Sequence, residues 1–459
     1  MTLELARERE VPREREIPRE REVSRGRHAP RRREVPGGPE IPRGRHRRPV
    51  PPTLRNNRTF VLLWTGAGVS MLGSRLSAIA YSLVVLWATD SPTSTALVAF
   101  AALLPFLVTQ LPAGVLVDRL DRRRVMIGCD MGRIGLIGVA LTTVALGHVW
   151  VPLLMVVAFC EGSLTEMYAI AERAAVFTVV PDEQLGPAIG ANEARSEAAG
   201  LIGQPIGTFL FSAARWLPFA ATMISHLISL CTLLLIKRDL QGPRPDGPRP
   251  SPWLDVKEGF DFVRSQTFLR RAVGLIAASN LLFQVLALGL LVIVKDQGGG
   301  PDTIGWILLA SGIGGMLGAL SSNLFMRWIG IRWIFMGVNI VWTVLMSSII
   351  FFQQPLALGI IFSLLLFGAG VSNVAGIVYT MKVAPEEMQG RIGSIVSLLA
   401  SGANALGALC AGAVLTAFGV RTTMILVGIA MFAIAGLAIL AFGGKKAAAA
   451  EAALGDLTD

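Results

Sequence analysis

Charge is scarce in this chain: Asp, Glu, Lys and Arg make up 16% of its 459 residues, against 53% hydrophobic residues. So little charge among so many long apolar runs excludes an ordinary soluble core and points to a polytopic membrane protein. Cysteine is sparse too. Cys129, Cys160, Cys231 and Cys410 lie in or beside apolar segments, without the close pairing of a metal site or redox motif, which leaves them as small packing residues. There is no Walker sequence, metal-ligand spacing or nucleophile motif either, so ATP hydrolysis and covalent chemistry have no basis and no enzyme is expected.

The charge that is present is unevenly placed. Residues 1–50 hold 15 Arg and 9 Glu, a net +6 of the formal +10, so the basic excess belongs to one tail and does not imply nucleic-acid binding. That tail repeats roughly every six residues, as in V-P-R-E-R-E followed by I-P-R-E-R-E. Regular prolines, high charge and one small apolar residue per repeat leave residues 1–56 extended and disordered. Two readings stand, a polybasic arm lying on anionic lipid and a neutral extension. The tail lacks the apolar core and cleavage site of a secretory signal, so the first membrane helix directs insertion.

Spans are expected at about 60–87, 96–117, 125–146, 151–176, 189–212, 218–236, 272–294, 303–325, 333–352, 356–380, 392–417 and 422–442. In this arrangement the outer connections carry Arg215, Lys295 and Arg421. The inner ones carry many more cations, among them Lys237, Arg238, Arg327, Arg332, Lys382, Arg391, Lys445 and Lys446. Positive loops stay in the cytoplasm, so both termini are expected there, with the chain multi-pass in the plasma membrane. Residues 237–252 are charged and Pro-rich and read as a cytoplasmic linker. Residues 253–271 then place Trp253, Val256, Phe260 and Val263 at helical spacing, with Lys257, Glu258 and Asp261 elsewhere. An amphipathic helix is expected there, completing a linker of 237–271 between bundles at 57–236 and 272–443, with a second cytoplasmic tail at 444–459.

The sharpest motif is the turn G-V-L-V-D-R-L-D-R-R-R over residues 114–124. Apolar sequence flanks it on both sides, so it joins two antiparallel spans, and Arg119, Arg122, Arg123 and Arg124 hold it on the cytoplasmic side. Gly114, Leu116, Asp118, Arg119, Arg122 and Arg123 resemble the G-x-L-x-D-R-x-G-R-[KR] loop of the major facilitator superfamily, with Asp121 where the family usually has Gly. Asp tolerates a left-handed backbone less well than Gly, which puts the geometry of the turn in question. A weakened counterpart, Gly318, Leu320, Asn323, Arg327, Gly330 and Arg332, falls between the eighth and ninth spans. The resemblance covers about residues 57–443. It implies an all-α membrane protein with twelve transmembrane helices in two pseudo-symmetric six-helix bundles.

The resemblance also implies roles. The turn becomes a cytoplasmic gate, in which Asp118 approaches the N-terminus of the eleventh helix and Arg122 pairs with an acid at the end of the fourth, for which Glu172 is the choice. The fifth span contains G-L-I-G-Q-P-I-G, similar to the Gly-Pro motif of superfamily exporters at Gly200, Gly203, Pro205 and Gly207, with Gln204 and Thr208 departing from it. An ionisable residue within a bilayer is costly and so a functional candidate. Arg75 in the first span and Glu161 in the fourth lie at similar depth. By resemblance both line the transport path, where Glu161 would exchange a proton while Arg75 biases it; a static ion pair is the alternative. Glu166 is the second carboxylate candidate, rotated about 140° from Glu161. Asp130 and Arg133, one turn apart on the third span, are spaced to pair. The seventh and tenth spans offer Asn280, Gln284, Ser372 and Asn373 to a substrate cavity, beside an apolar surface from Met71, Tyr81, Phe106 and Phe283.

An apolar cavity with few charges suits amphipathic organic molecules better than sugars or phosphates. The expectation is a monomeric exporter of a drug, antibiotic or secondary metabolite. It exchanges substrate for protons by alternating access, with no cofactor beyond the proton motive force. Proton-coupled uptake and siderophore export are alternatives on the same fold. A receptor or scaffold without transport is the alternative of another class.

Overall fold

The structure is a computed structural model that describes residues 54–241, 252–383 and 388–443. The repeat tail before residue 54, the Pro-rich part of the linker and the tail at 444–459 lie outside the described residues.

Helices make up all the regular structure among the described residues. They are α1 (Arg58–Thr89), α2 (Pro92–Val108), α3 (Gln110–Arg119), α4 (Arg122–Ala145), α5 (Val151–Val179), α6 (Leu185–Ala213) and α7 (Leu217–Leu235). These are followed by α8 (Pro252–Ser265), α9 (Thr267–Asp296), α10 (Pro301–Ile329), α11 (Ile331–Ser348), α12 (Pro355–Val383) and α13 (Gln389–Phe442). Nine are long and apolar enough to cross a bilayer, or ten with α2 and α3 taken as one bent span. Their outer surface is greasy. Trp328, Leu356 and Leu440 are at least 78% exposed, a surface that water would not tolerate over so wide an area but lipid would.

Local sequence explains where the helices start and stop. Asn57 caps α1, its side chain accepting the Phe60 N–H at 3.1 Å, and Ser91 does the same for α2 through Ser94. At the other end of α1, Asp90 takes the left-handed conformation with φ 53° that stops a helix. The expected second span is broken, with α2 and α3 bent by 57°. Pro112 has no N–H to give Val108 O, so the ladder loses a bond there, and next to the gap Thr109 donates both its N–H and its hydroxyl to Pro105 O at 2.8 Å. The last two expected spans form one continuous assignment, α13, but Gly419 at φ 71°, ψ 171° turns the chain between them.

The amphipathic helix is shorter than the sequence suggests. α8 ends at Ser265, Gln266 is extended, and Arg270 and Arg271 fall in the first turns of α9. Val263 is buried against Ile392 and Ile395 of α13, whereas Phe260, expected on the same face, is 47% exposed.

α1 is the hub of the first seven helices, packing on α7, α6, α2 and α5, while α9 packs on α13 and α10 on α12; α2 with α13 and α6 with α10 join the two groups. Several of these contacts need glycine. A Cβ on Gly207 would meet the Leu76 backbone of α1, and one on Gly318 would meet the Phe367 backbone of α12. Backbone cannot yield as a side chain does. Gly318→Val is therefore expected to cost about 3 kcal/mol, read as a lower thermal midpoint by size-exclusion chromatography of heated samples. Gly337→Val on α11, with open space around it, should leave the midpoint unchanged.

Candidate functional site

Ser77 and Tyr81 stand one helical turn apart on α1 and therefore share a face. Both reach one carboxylate on α5. Ser77 Oγ donates to Glu161 Oε1 at 2.7 Å and Tyr81 OH donates to Oε2 at 2.6 Å. All three residues are buried, and the Tyr81 ring is held by Phe219 of α7 at 5.3 Å. Glu161 has no ion-pair partner among the described residues.

The expected Arg75–Glu161 pair is thus not formed. Arg75 lies two residues before Ser77, about 200° around the helix, so it cannot share the face that meets Glu161. It is exposed, and its stem lies where a Cβ on Gly203 of α6 would be, 2.5 Å from Arg75 Cβ. Its charge reaches Glu166 instead, together with that of Arg173. Glu166 is buried, and its carboxylate makes no hydrogen bond among the described residues. Sequence alone gives helical depth for these residues, and depth does not distinguish the two faces of α1.

A second polar cluster lies within the α1, α4, α5 and α7 group. Arg133 Nη2 donates to Asp130 Oδ1 at 2.5 Å, which agrees with the spacing read from the sequence. Ser229 Oγ donates to Asp130 Oδ2 at 2.8 Å, Tyr168 OH lies 3.0 Å from Ser229 Oγ, and the Arg133 guanidinium sits 4.5 Å from the Tyr168 ring centre. His226 Nδ1 is 3.1 Å from Ser70 Oγ and 3.9 Å from Asp130 Oδ1. Asp130 and His226 are 0% exposed and Arg133 is 1% exposed. The sequence signals only the Asp130–Arg133 spacing, because the other members come from helices remote in the chain.

The arginine-rich turn is held differently from expectation. Asp121 is extended, at φ −66° and ψ 116°, and serves as the N-cap of α4 by accepting the Arg124 N–H at 2.8 Å. The departure from Gly therefore strains nothing and supplies a cap. Arg122 Nη1 donates to Thr178 Oγ1 at 2.9 Å and to Ala174 O at 3.0 Å, and Arg123 Nε donates to Leu233 O at 3.1 Å. These acceptors lie near the C-terminal ends of α5 and α7, where the helix dipole favours cations.

Glu172, expected to pair with Arg122, pairs with Arg195 of α6 at 3.3 Å. It lies about two turns before the end of α5, and Arg195 engages both of its carboxylate oxygens. Arg195 also donates to Trp64 O at 3.1 Å, tying α1, α5 and α6. The sequence reading missed Arg195, although an arginine well inside the fifth helix was a usable signal. Asp118 and Arg119 lie in the last turn of α3, and Gly114 has open space around it.

In the exporter-like motif, Gly203 and Gly207 seat α6 on α1, Pro205 is buried within α6, and Gly200 has open space around it. Asn280 and Gln284 on α9 and Ser372 on α12 are half-buried, Asn373 is exposed, and none of the four makes a side-chain hydrogen bond among the described residues. At the opposite end of the helices from the arginine turn, Lys295 of α9 pairs with Asp90 and donates to Leu86 O at 2.6 Å, its ammonium 5.5 Å from the Trp87 ring centre.

Residues 51–454 match the family described as transmembrane secretion effector. The chain is 30% identical over 178 residues to an uncharacterized MFS-type transporter of Bacillus subtilis, YkuC, covering 38% of this chain but only 41% of that protein. It is 27% identical over 394 residues to macrolide efflux protein A of Streptococcus pyogenes, covering 82% of this chain and 94% of that protein. It is also 27% identical over 396 residues to the multidrug efflux pump Tap of Mycolicibacterium fortuitum, covering 83% and 93%. Among solved structures, the nucleoside transporter NupG superposes with a TM-score of 0.64 at 15% identity, over 85% of this chain and 100% of that one, a likeness of fold.

Proposed function

The chain belongs to the transmembrane secretion effector family of the major facilitator superfamily, and from that premise we propose that it exports small amphipathic organic molecules across the cell membrane in exchange for protons. The observation that carries the coupling is Glu161, a buried carboxylate held by two hydroxyls and in no ion pair among the described residues. A carboxylate in an ion pair gives up its partner when it takes a proton. Glu161 takes one while keeping both hydroxyl neighbours, since a hydroxyl both donates and accepts.

The substrate class rests on two supports. Relatives that align along most of their length carry the names macrolide efflux protein and multidrug efflux pump. The half-buried amides of α9, Asn280 and Gln284, offer hydrogen bonds without fixed charge, which suits amphipathic molecules.

The reading takes α2 with α3 as one bent crossing, α6 as a crossing despite Glu193, Arg195 and Glu197, and α13 as two crossings divided at Gly419. That makes twelve, in two six-helix bundles with both termini cytoplasmic, and places the arginine turn inside and the Lys295–Asp90 pair outside.

Everted membrane vesicles with an acidified interior test the reading. Adding macrolides and other amphipathic compounds should raise lumenal pH in vesicles that hold the protein and leave vesicles without it unchanged. A null response across the panel would remove proton antiport and favour uptake or a scaffold role.

A further inference from the structure

The cytoplasmic ends of α9 and α13 enclose a groove of about 400 Å³ that none of the transport chemistry uses. Its floor and one wall are apolar, from Leu275 of α9 with Ile434, Leu437 and Leu440 of α13, and its rim carries Arg270 and Arg271. Leu437 and Leu440 are 58% and 78% exposed, so the wall looks outward to lipid and away from the helix interior. The two arginines are steered by the backbone. Arg270 Nη1 donates to Arg264 O at 2.7 Å and Arg271 Nη1 donates to Ala441 O at 2.8 Å.

Among the described residues neither guanidinium has an acidic partner or a hydrogen bond beyond the one given above. No carboxylate among the described residues lines the groove, and Glu258 of α8 is engaged by Arg391 at 2.6 Å. Two unpaired cations at the rim of an apolar, lipid-facing slot match a molecule with an anionic head and hydrocarbon tails. A guanidinium fork suits phosphate, and methylene chains lie well along leucine side chains.

We propose that this groove binds one acidic phospholipid of the inner leaflet, its phosphate on Arg270 and Arg271 and an acyl chain along Ile434, Leu437 and Leu440. The inner-leaflet assignment rests on the orientation given under Proposed function; the groove itself does not depend on proton coupling or on substrate. Basic pockets at the cytoplasmic side of membrane helices are the setting in which anionic headgroups are held. Because the lipid touches both α9 and the last helical segment, it joins the start of the second group of helices to its end.

The test is native mass spectrometry of the full-length protein in detergent, titrated with dioleoylphosphatidylglycerol or dioleoylphosphatidylcholine. The native protein should retain one phosphatidylglycerol with about tenfold higher occupancy than phosphatidylcholine. Arg270→Gln with Arg271→Gln should bring the two lipids level. Leu440→Glu, which changes an exposed side chain and spares both arginines, should do the same by placing a carboxylate in the slot. Lys237→Gln with Arg238→Gln removes equal charge elsewhere and should keep the preference. Equal occupancy of the two lipids on the native protein overturns the proposal, as does equal loss in the Lys237/Arg238 control. Displacement of the lipid by millimolar inorganic phosphate alone would reduce the groove to an anion site and overturn it too.

Discussion

Glu161→Gln is expected to abolish compound-dependent proton release, by on the order of a hundredfold or more, while leaving a folded and monodisperse protein. Gln has the shape of Glu. Its amide oxygen accepts from one of Ser77 and Tyr81, and its NH2 group donates to the hydroxyl oxygen of the other, so the 2.7 and 2.6 Å contacts have neutral replacements. What disappears is the only group among these three that exchanges a proton on the time scale of transport. Downhill exchange of labelled substrate should persist in the same variant, because exchange does not require net proton movement.

Two milder variants sharpen the expectation. Ser77→Ala and Tyr81→Phe each remove one hydrogen bond from a carboxylate that keeps the other, at about 0.5–1.5 kcal/mol, and each should weaken release without abolishing it. The measurement is lumenal pH in everted vesicles for all three, against the same protein amount. Native-rate release from Glu161→Gln would sink the assignment and turn attention to Glu166, the buried carboxylate of α5 that, unlike Glu172, is in no ion pair among the described residues.

Much of this architecture is legible in the sequence because lipid leaves few options. Helices occupy most of each expected apolar stretch among the described residues, and nine of them, or ten with α2 and α3 as one, are long and apolar enough to cross a bilayer. The breaks that differ are local chemistry: the Thr109 bend follows Pro105 and Pro112, and the short α8 follows an extended Gln266. The polar interior was legible only in part. Spacing along one helix identified Asp130 with Arg133, since i and i+3 share a face.

Pairing between helices was misread, both at Arg75 with Glu161 and at Arg122 with Glu172. Depth along a helix can be counted from sequence, but azimuth against a neighbour depends on packing, and packing here turns on where glycines let backbones approach. Gly203 sets Arg75 against α6, and Arg122 commits its Nη1 to the Thr178 hydroxyl and the Ala174 carbonyl near the end of α5. Asp121 shows the converse error. A residue that put the geometry of the turn in question fits because the turn is not left-handed there and a helix begins at the next residue.

Arg133→Met should be the most damaging single change in the first seven helices, costing about 3–5 kcal/mol. Asp130 is 0% exposed, and without the guanidinium its charge is left to the Ser229 hydroxyl and to His226, whose Nδ1 lies 3.9 Å away. Burying a charge that has lost its counterion is far worse than burying neither. Asp130→Asn together with Arg133→Met should therefore recover most of the loss, so that the double variant is more stable than the Arg133 single. Thermal midpoints of the three proteins by fluorescence-detected size exclusion decide it.

If Arg133→Met alone is as stable as the native protein, the cluster does not hold the helices together. If the double variant recovers stability and also exports, the cluster is a structural tie, through Tyr168, Ser229, His226 and Ser70, that makes α1, α4, α5 and α7 move as one piece. Alternating access then has to be carried by the contacts that join the two groups of helices, α2 with α13, α6 with α10, and the Lys295–Asp90 pair. If it recovers stability and is inert, Asp130 and Arg133 belong to the transport chemistry, and Glu161 does not act alone.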